Sequence, residues 1–436
     1  MTARLSRHTF ESGPTPPVRI VHLGPGAFHR AHQASYTERA GDGWGIAALT
    51  QQSRTALEQL GPQDGLYTVL TRGPERDEAS VVSAIAEVLD GTGPSATELL
   101  ARPEVQVVTL TVTEAGYQPG SAALRRLLDG LEARRRTAAA PLTLVSCDNL
   151  SSNGAVLRRE LLAACAGTEL ASYLNAACSF PSTVVDRVTP ATTPADLAIV
   201  EGLLGMEDRA AVVTEPFSQW VLEDDFRAGR PAWERAGARF VGDVVPFERR
   251  KLRLLNAGHS LLAYLGAPRG HAFVHQALAD EWVHARLVAL WAEARRFLDA
   301  GPDEEALEYC AELERRWSNE RLSHRLEQIS ADGSFKLRER IVPTLAAARR
   351  AGVDAPACVL VLAGWIVHLR ADGPLAVRDR AIDRLAGVPG SPVGPAVADA
   401  LGVLAEDLGR DSALSAQVAG EVDRLEGSGP GSFARR

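Results

Sequence analysis

The sequence predicts an α/β domain with a mainly parallel sheet, followed by an all-helical domain. Three observations carry this. Short apolar runs alternate with amphipathic segments up to about residue 245, the rhythm turns helical after it, and the length calls for two cores. At 436 residues the chain exceeds the size at which a single hydrophobic core usually stops growing. We set the domains at 1–245 and 246–436.

In the first half, Val18–Leu23, Trp44–Thr50, Val105–Val112, Leu142–Ser146 and Ala210–Thr214 are short apolar runs. Such runs suit strands buried on both faces of a sheet. Between several of them lie amphipathic stretches such as Ala122–Arg136 and Gly154–Ala166. Strand, helix, strand in this order implies parallel strands with covering helices. From Arg249 to about Gly427 apolar residues recur at helical spacing among Ala, Leu, Arg and Glu. Breaks at Gly301-Pro302, Asp332-Gly333, Asp372-Gly373-Pro374 and Pro389-Gly390 punctuate that stretch. No repeat of fixed period is present, and the Gly/Ser-rich end from Gly427 is expected to fray. An α/β domain followed by a helical one is expected to leave a ligand cleft between them.

The totals exclude several classes. A net charge of −8 argues against broad attraction to nucleic acid or an acidic membrane leaflet. The longest apolar stretch, near Cys358–Val367, is too short to span a bilayer, and the polar N-terminus has no signal core. Five scattered cysteines without a CxxC pair fit reduced thiols in a cytoplasm and argue against a cysteine-rich zinc site. A cytoplasmic globular protein is expected.

Directly after the first run comes Gly24-Pro25-Gly26-Ala27-Phe28-His29-Arg30. Glycines there let the backbone turn tightly and approach a pyrophosphate, with a helix N-terminus behind it. A histidine stands where the full dinucleotide pattern has its third glycine, so the motif alone equally fits a plain tight turn. Its place after the first strand of an α/β half favours a Rossmann-type dinucleotide-binding domain. Arg30 is expected to add a cation to the phosphate site, unless it is a solvated surface arginine. No carboxylate follows the second strand, where Thr50-Gln51-Gln52-Ser53-Arg54 stands. Gln51 can bond a ribose hydroxyl, while Ser53 and Arg54 suit a 2′-phosphate, so local chemistry leaves NAD and NADP both open.

The segment from Pro246 to Ser260 holds Glu248, Lys251, Asn256 and His259. Read as an α-helix at about 100° per residue, it puts Glu248 near ~60°, His259 near ~80° and Asn256 near ~140° from Lys251. All four share one contiguous arc with Leu252 and Leu255, a mixed face that suits a buried site. A lysine desolvated there has a lowered pKa and can trade a proton with a hydroxyl. An asparagine amide can donate to a developing alkoxide, and a histidine can orient a substrate or relay a proton. Glu248 could connect the lysine to solvent. Spacing alone gives more weight to a snorkelling lysine, a capped asparagine and a core histidine.

Beyond these residues the sequence resembles the mannitol dehydrogenase family of long-chain polyol dehydrogenases, which includes fructuronate reductase. The matching pieces are Gly24-Pro-Gly-Ala-Phe-His-Arg-Ala-His-Gln, Thr113-Glu-Ala-Gly-Tyr, Ser146-Cys-Asp-Asn-Leu and Phe180-Pro-Ser-Thr-Val-Val-Asp-Arg-Val-Thr-Pro. Glu215-Pro-Phe-Ser-Gln-Trp, Lys251-Leu-Arg-Leu-Leu-Asn-Ala-Gly-His-Ser and Asp332-Gly-Ser-Phe-Lys follow, in family order. The resemblance implies a Rossmann-type domain, a helical C-terminal domain, no metal and a monomer; NAD is the expected cofactor, with NADP not excluded, because without the acid after the second strand the family's cofactor choice does not transfer cleanly. It implies Lys251 as general acid/base, Asn149 and Asn256 as the oxyanion site, His259 beside them and Glu248 as proton path. It also places Asp186 and Arg187 near the active cleft, where a structural ion pair is the alternative, and Lys336 toward the substrate. Two departures stand out: the missing acid after the second strand, and a short stretch between Tyr117 and Leu142.

The implied substrate is sugar-derived, either a hexuronate such as fructuronate or a neutral ketose such as fructose. The segment from His324 to Arg340 looks closer to the fructuronate reductase branch, with Arg340 a candidate carboxylate anchor. Mannitol or arabinitol oxidation is the alternative, and a non-catalytic NAD(H)-binding sensor is the alternative from another class. A short-chain dehydrogenase would need Tyr-x-x-x-Lys, which is absent. A zinc alcohol dehydrogenase would need a Cys/His cluster.

Overall fold

A computed structural model describes residues 2–51, 53–298, 303–370 and 375–427. The chain divides into two compact units, Met1–Val245 and Pro246–Arg436.

Among its described residues the first unit holds twelve strands: β1 (Val18–Leu23), β2 (Gly45–Leu49), β3 (Tyr67–Arg72), β4 (Asp77–Val82), β5 (Ile85–Leu89) and β6 (Val107–Leu110). After them come β7 (Leu142–Ser146), β8 (Cys178–Ser179), β9 (Thr183–Asp186), β10 (Val212–Thr214), β11 (Gln219–Glu223) and β12 (Arg239–Val241). Six form one sheet in the order β5-β2-β1-β6-β7-β8, with every pairing parallel. Counting only its own strands, that is the 3-2-1-4-5-6 order of the doubly wound dinucleotide fold. Alternation explains why its central strands are largely apolar on both faces. Ile20, Ile46, Val107 and Val145 pack into one core, and Val21, Ala47, Val108 and Leu144 into the other. Helices Ala122–Thr137 and Asn153–Ala164 fall where the amphipathic stretches predict them.

One strand is placed differently from expectation. The Ala210–Thr214 run forms β10, but β10 pairs with β3 in a separate sheet of order β10-β3-β4. Its partner Val69 lies in a segment whose other neighbour is the exposed edge strand β4, so the pairing has no local signature. A third sheet, β12-β11-β9, completes the unit.

The described residues of the second unit are helical. Helix Pro356–Arg370 contains the apolar Cys358–Val367 stretch and is buried on nearly every side, in one core with helices Ala257–Gly266, Glu281–Arg295 and Asp303–Trp317. The break at Asp332 is real, with Asp332 at φ 55°, and Gly390 also has positive φ. The breaks at 301–302 and 372–374 and the tail beyond Gly427 lie outside the described residues. Among the described residues no helix is long and apolar enough to cross a membrane.

Candidate active site

In the first unit, β1 runs into the glycine turn and then into helix Ala27–Ala31. Gly24 has φ 91°, and a Cβ there would lie 2.3 Å from the Thr111 carbonyl oxygen, so only glycine fits. Buried His22 locks the turn. Its Nε2 lies 3.1 Å from Gly24 O and 3.0 Å from Thr111 Oγ1, its Nδ1 2.8 Å from Thr109 Oγ1, and burial pushes its pKa down to about 3. Gly26 is different. A Cβ on it would meet nothing closer than Gly24 O at 3.9 Å, so no protein contact requires glycine there. Open backbone beside the orphan N–H groups of a helix start, at Ala27 and Phe28, fits the close approach of a pyrophosphate. Phe28 stacks on His32 at 5.1 Å.

Arg30 corrects its expectation. It is 7% exposed, donates through Nη1 to the Ala210 carbonyl and through Nε to Gly26 O, and lies over the Tyr67 ring. The guanidinium fastens the turn from within the unit rather than facing a phosphate. At Gln51, Arg126 Nη1 donates to Oε1 at 2.5 Å, and the buried Nε2 has no partner. Arg54, which suited a 2′-phosphate, is paired with Asp90 at 2.9 Å.

Asn149 lies exposed in the turn between β7 and helix Asn153–Ala164. Asp186 is the buried last residue of β9, opposite Gln219 of β11. Arg187 departs from a substrate role. Its Nε and Nη2 donate to Glu215 O at 3.3 and 3.1 Å and its Nη1 to Ala31 O, while burial lowers its pKa to about 10. It stays cationic at neutral pH and ties the end of β9 to the helix behind the glycine turn.

In the second unit the lysine segment is not a continuous α-helix. Val245–Arg250 is α, Lys251–Asn256 is a π-helix, and Ala257–Gly266 is α again. The Ala257 N–H reaches back five residues to Leu252 O. The arc drawn at a constant α-helical angle therefore fails across the segment. In the wider π turn, with bonds spanning five residues, Asn256 comes back over Lys251 instead of standing far around from it. Lys251 and Glu248 are half-buried.

Two buried donor or acceptor atoms here lack partners. Asn256 is 5% exposed and its Nδ2 has none, although its backbone carbonyl accepts from Arg340 Nη1 and Ser260 Oγ, each at 3.2 Å. His259 is 8% exposed, and its Nε2 has none. The His259 ring sits 4.6 Å from Trp317 and meets His324 edge-on at 4.8 Å. Burial first, then His324, Arg340, Arg316 and Lys336, hold its pKa well below the ordinary value, so it is neutral and set among cations. Lys336 is half-buried, and its Nζ donates to Ile329 O at 3.1 Å. Arg340 Nη1 also reaches Ser260 Oγ at 3.1 Å.

Sequence reasoning missed Arg316 and Trp317 beside His259, because their place at the end of helix Asp303–Trp317 carries no local signal of that packing, and it singled out the segment from His324 without linking His324 to His259. It also missed His22, Tyr117 and Asp148. The last two stood inside quoted motifs, but they lie 31 residues apart and meet only in the fold. Among the described residues no group of three or more His, Cys, Asp or Glu is placed to hold a metal ion.

A family model described as the mannitol dehydrogenase Rossmann domain matches residues 18–235, and one described as the mannitol dehydrogenase C-terminal domain matches 243–425. The D-mannonate oxidoreductase of Escherichia coli (strain K12) is 36% identical over 385 residues, covering 80% of this chain and 79% of that one. The mannitol 2-dehydrogenase of Cereibacter sphaeroides is 34% identical over 399 residues, covering 84% and 83%. Among solved structures, the Pseudomonas fluorescens mannitol 2-dehydrogenase ternary complex with NAD and D-mannitol matches with a TM-score of 0.84 at 30% identity, over 99% of both chains.

Proposed function

The chain belongs to the mannitol dehydrogenase family, and on that premise we propose that it interconverts a ketone and a secondary alcohol of a sugar-derived substrate with NAD, using Lys251 as acid and base. The observation that carries this reading is the π turn with its two orphaned polar atoms, Asn256 Nδ2 and His259 Nε2, following Lys251. Buried polar groups are nearly always satisfied, so an unpartnered amide in a structured core suits a partner supplied by substrate. π turns occur frequently at functional sites.

When bound, NAD supplies the hydride acceptor in oxidation, or the hydride donor as NADH in reduction. The chain's own residues do the rest. In reduction the ammonium of Lys251 gives its proton to the substrate oxygen, and in oxidation its neutral amine takes the proton back. Asn256 donates to that oxygen while it carries negative charge, with Asn149 as the companion donor and neutral His259 orienting the hydroxyls beside it. Glu248 is the proton path to solvent. Gly24, Gly26, Ala27 and Phe28 form the pyrophosphate cradle, and Gln51 bonds the adenosine ribose. We take the protein to act as a cytoplasmic monomer with no metal in the reaction.

For the substrate we favour the hexuronate pair, D-fructuronate and D-mannonate. Its support is the company His259 keeps: Arg316, Lys336 and Arg340 all depress its pKa, a cationic setting that suits a sugar acid. The D-mannonate oxidoreductase relative is in line with this. The mannitol 2-dehydrogenase relative favours the second reading, fructose and mannitol, with arabinitol a further polyol.

The test mixes the protein with NADH, and separately NADPH, and follows oxidation on adding D-fructuronate or D-fructose. Rapid turnover of fructuronate alone is expected. Turnover of fructose alone moves the protein to the second reading. NADH binding without turnover of any ketose or hexuronate makes it a sensor.

A further inference from the structure

The turn that carries Asn149 is held from both sides by groups to which no role has yet been given. On one side stands Asp148. Its Oδ2 accepts the Val112 N–H at 3.0 Å and the Tyr117 hydroxyl at 2.6 Å, and its Oδ1 accepts the Thr113 N–H at 2.8 Å. The Tyr117 hydroxyl also lies 2.5 Å from Ser146 Oγ, at the end of β7. Thr113 has φ 61° and ψ 169°, a conformation that a β-branched residue adopts only when its surroundings force it. One carboxylate thus bolts the strained exit of β6 to the exit of β7.

On the other side stands Asn153. Its Nδ2 donates to the Asp148 carbonyl at 3.0 Å and to Thr183 O at 3.0 Å, and its Oδ1 accepts the Thr183 N–H at 2.9 Å. Leu150 N–H closes on the same Asp148 carbonyl at 2.9 Å. Both the side chain and the backbone oxygen of Asp148 are therefore fixed, against β6 and against β9. Asn149, exposed between them, has little backbone freedom left.

We propose that Asp148, with Tyr117 and Asn153, is a positioning residue that aims the Asn149 amide. None of the three needs to touch substrate. The charge-assisted bonds to Asp148 keep the turn at one geometry, and Asn149 then meets the developing alkoxide without reorganising. This rests on the role given to Asn149 above.

The test uses the full chain and the substrate it turns over best. Single-turnover hydride transfer, its isotope effect with 4-deuterated NADH, and the NADH dissociation constant are measured for D148N, Y117F, N149A and D148N/N149A. Asparagine at 148 turns one acceptor into a donor facing a donor, so at least one of the three bonds is lost. D148N is expected to slow hydride transfer on the order of 10²-fold, the scale of a misplaced reacting group. The isotope effect becomes fully expressed and NADH binding stays within about threefold. Y117F, which keeps the carboxylate and both amides, shows the same pattern with a smaller loss and covers the case in which D148N fails to fold.

The decisive number is the double variant. If Asp148 acts through Asn149, D148N/N149A is no slower than N149A alone. Losses that multiply, or a Y117F and D148N hydride step within twofold of wild type, overturn the proposal while Asn149 keeps its role. An N149A variant at wild-type rate, or no turnover of any ketose, overturns the catalytic reading itself and this inference with it.

Discussion

Replacing Asn256 by alanine should lower activity and leave stability intact or improved, and the two effects follow from the same atom. The Asn256 Nδ2 is buried without a partner, so the folded protein carries an unsatisfied donor worth roughly 1–3 kcal/mol against it. Alanine removes that donor. The backbone carbonyl keeps its bonds from Arg340 and Ser260, so the turn keeps its anchor. The void left by one carboxamide offsets part of the gain, and the net change should lie between zero and about 1 kcal/mol of stabilisation, or up to a few degrees in Tm. In catalysis the sign reverses. Losing one preorganised donor to a developing oxyanion costs about 2.7–4 kcal/mol, or roughly 10²–10³ in kcat. Thermal unfolding of the apo protein and steady-state kinetics at saturating NADH on one preparation read both quantities. A variant destabilised by more than about 1 kcal/mol, with kcat within threefold of wild type, would refute the reasoning, because the amide would then be a structural bond and not a catalytic one.

Lys251→Ala should lose several orders of magnitude in turnover, the scale of a removed general acid–base group (about 10²–10⁴-fold), with little change in NADH affinity by fluorescence titration. A mutant near native turnover sinks the mechanism. The two glycines of the turn should separate fold from cofactor. Gly26→Ala leaves the apo Tm unchanged but weakens NADH, because its methyl fills only open space, whereas Gly24→Ala is strained at φ 91° and collides with Thr111 O, lowering the apo Tm. Equal effects at the two positions would contradict the assigned cradle. Buried histidines set the pH dependence of stability. His22, His29, His259 and His324 all have lowered pKa values, to about 3 for His22 and about 4 for His324. The unfolded chain therefore takes up protons first, and stability, complete above the unfolded value of 6.5, falls as pH drops toward 4, by up to about 1.4 kcal/mol per pH unit for each histidine that stays neutral. A Tm flat between pH 7 and 5 would show that these rings are protonated in the native state.

The fold was legible where burial acts on both faces of a strand. Val18–Leu23 and Leu142–Ser146 are mainly apolar runs, and both are strands at the same bounds. The third strand of the main sheet escaped notice because β5 carries Glu87 and only its first residue is fully buried. At two residues, β8 is too short for any periodicity. β4 reads as polar because it is an exposed edge. The small sheets depend on pairings such as Val212 with Val69 and Trp220 with Val185, made between segments far apart in sequence. No window of local pattern contains both partners, so these strands were visible only as apolar fragments, if at all.

The lysine segment shows the same limit in a different form. Spacing alone favoured a plain helix and the resemblance singled the segment out, while the angle between its polar residues was wrong because Lys-Leu-Arg-Leu-Leu is built of good helix formers and carries no mark of a π turn. The turn is held from outside. Trp291 Nε1 donates to Leu254 O at 3.0 Å, inside the π segment, and Arg340 Nη1 donates to Asn256 O at its end. Both donors come from other helices, Glu281–Arg295 and Gly333–Arg340, so tertiary contacts override local preference. Trp291→Phe tests this directly. It keeps most of the buried ring and removes the N–H, leaving Leu254 O only the Ala257 N–H, which it shares with Leu252 O. Loss of one buried bond costs about 1 kcal/mol in stability. If the segment then winds toward α, Asn256 turns away from Lys251 and kcat falls by about 10²-fold, the scale of a misplaced group, while NADH binding holds. A crystal structure of the variant with an α-helical 251–256 and reduced kcat would establish that the π turn makes the site. An α-helical segment with undiminished kcat would show that the site does not need it.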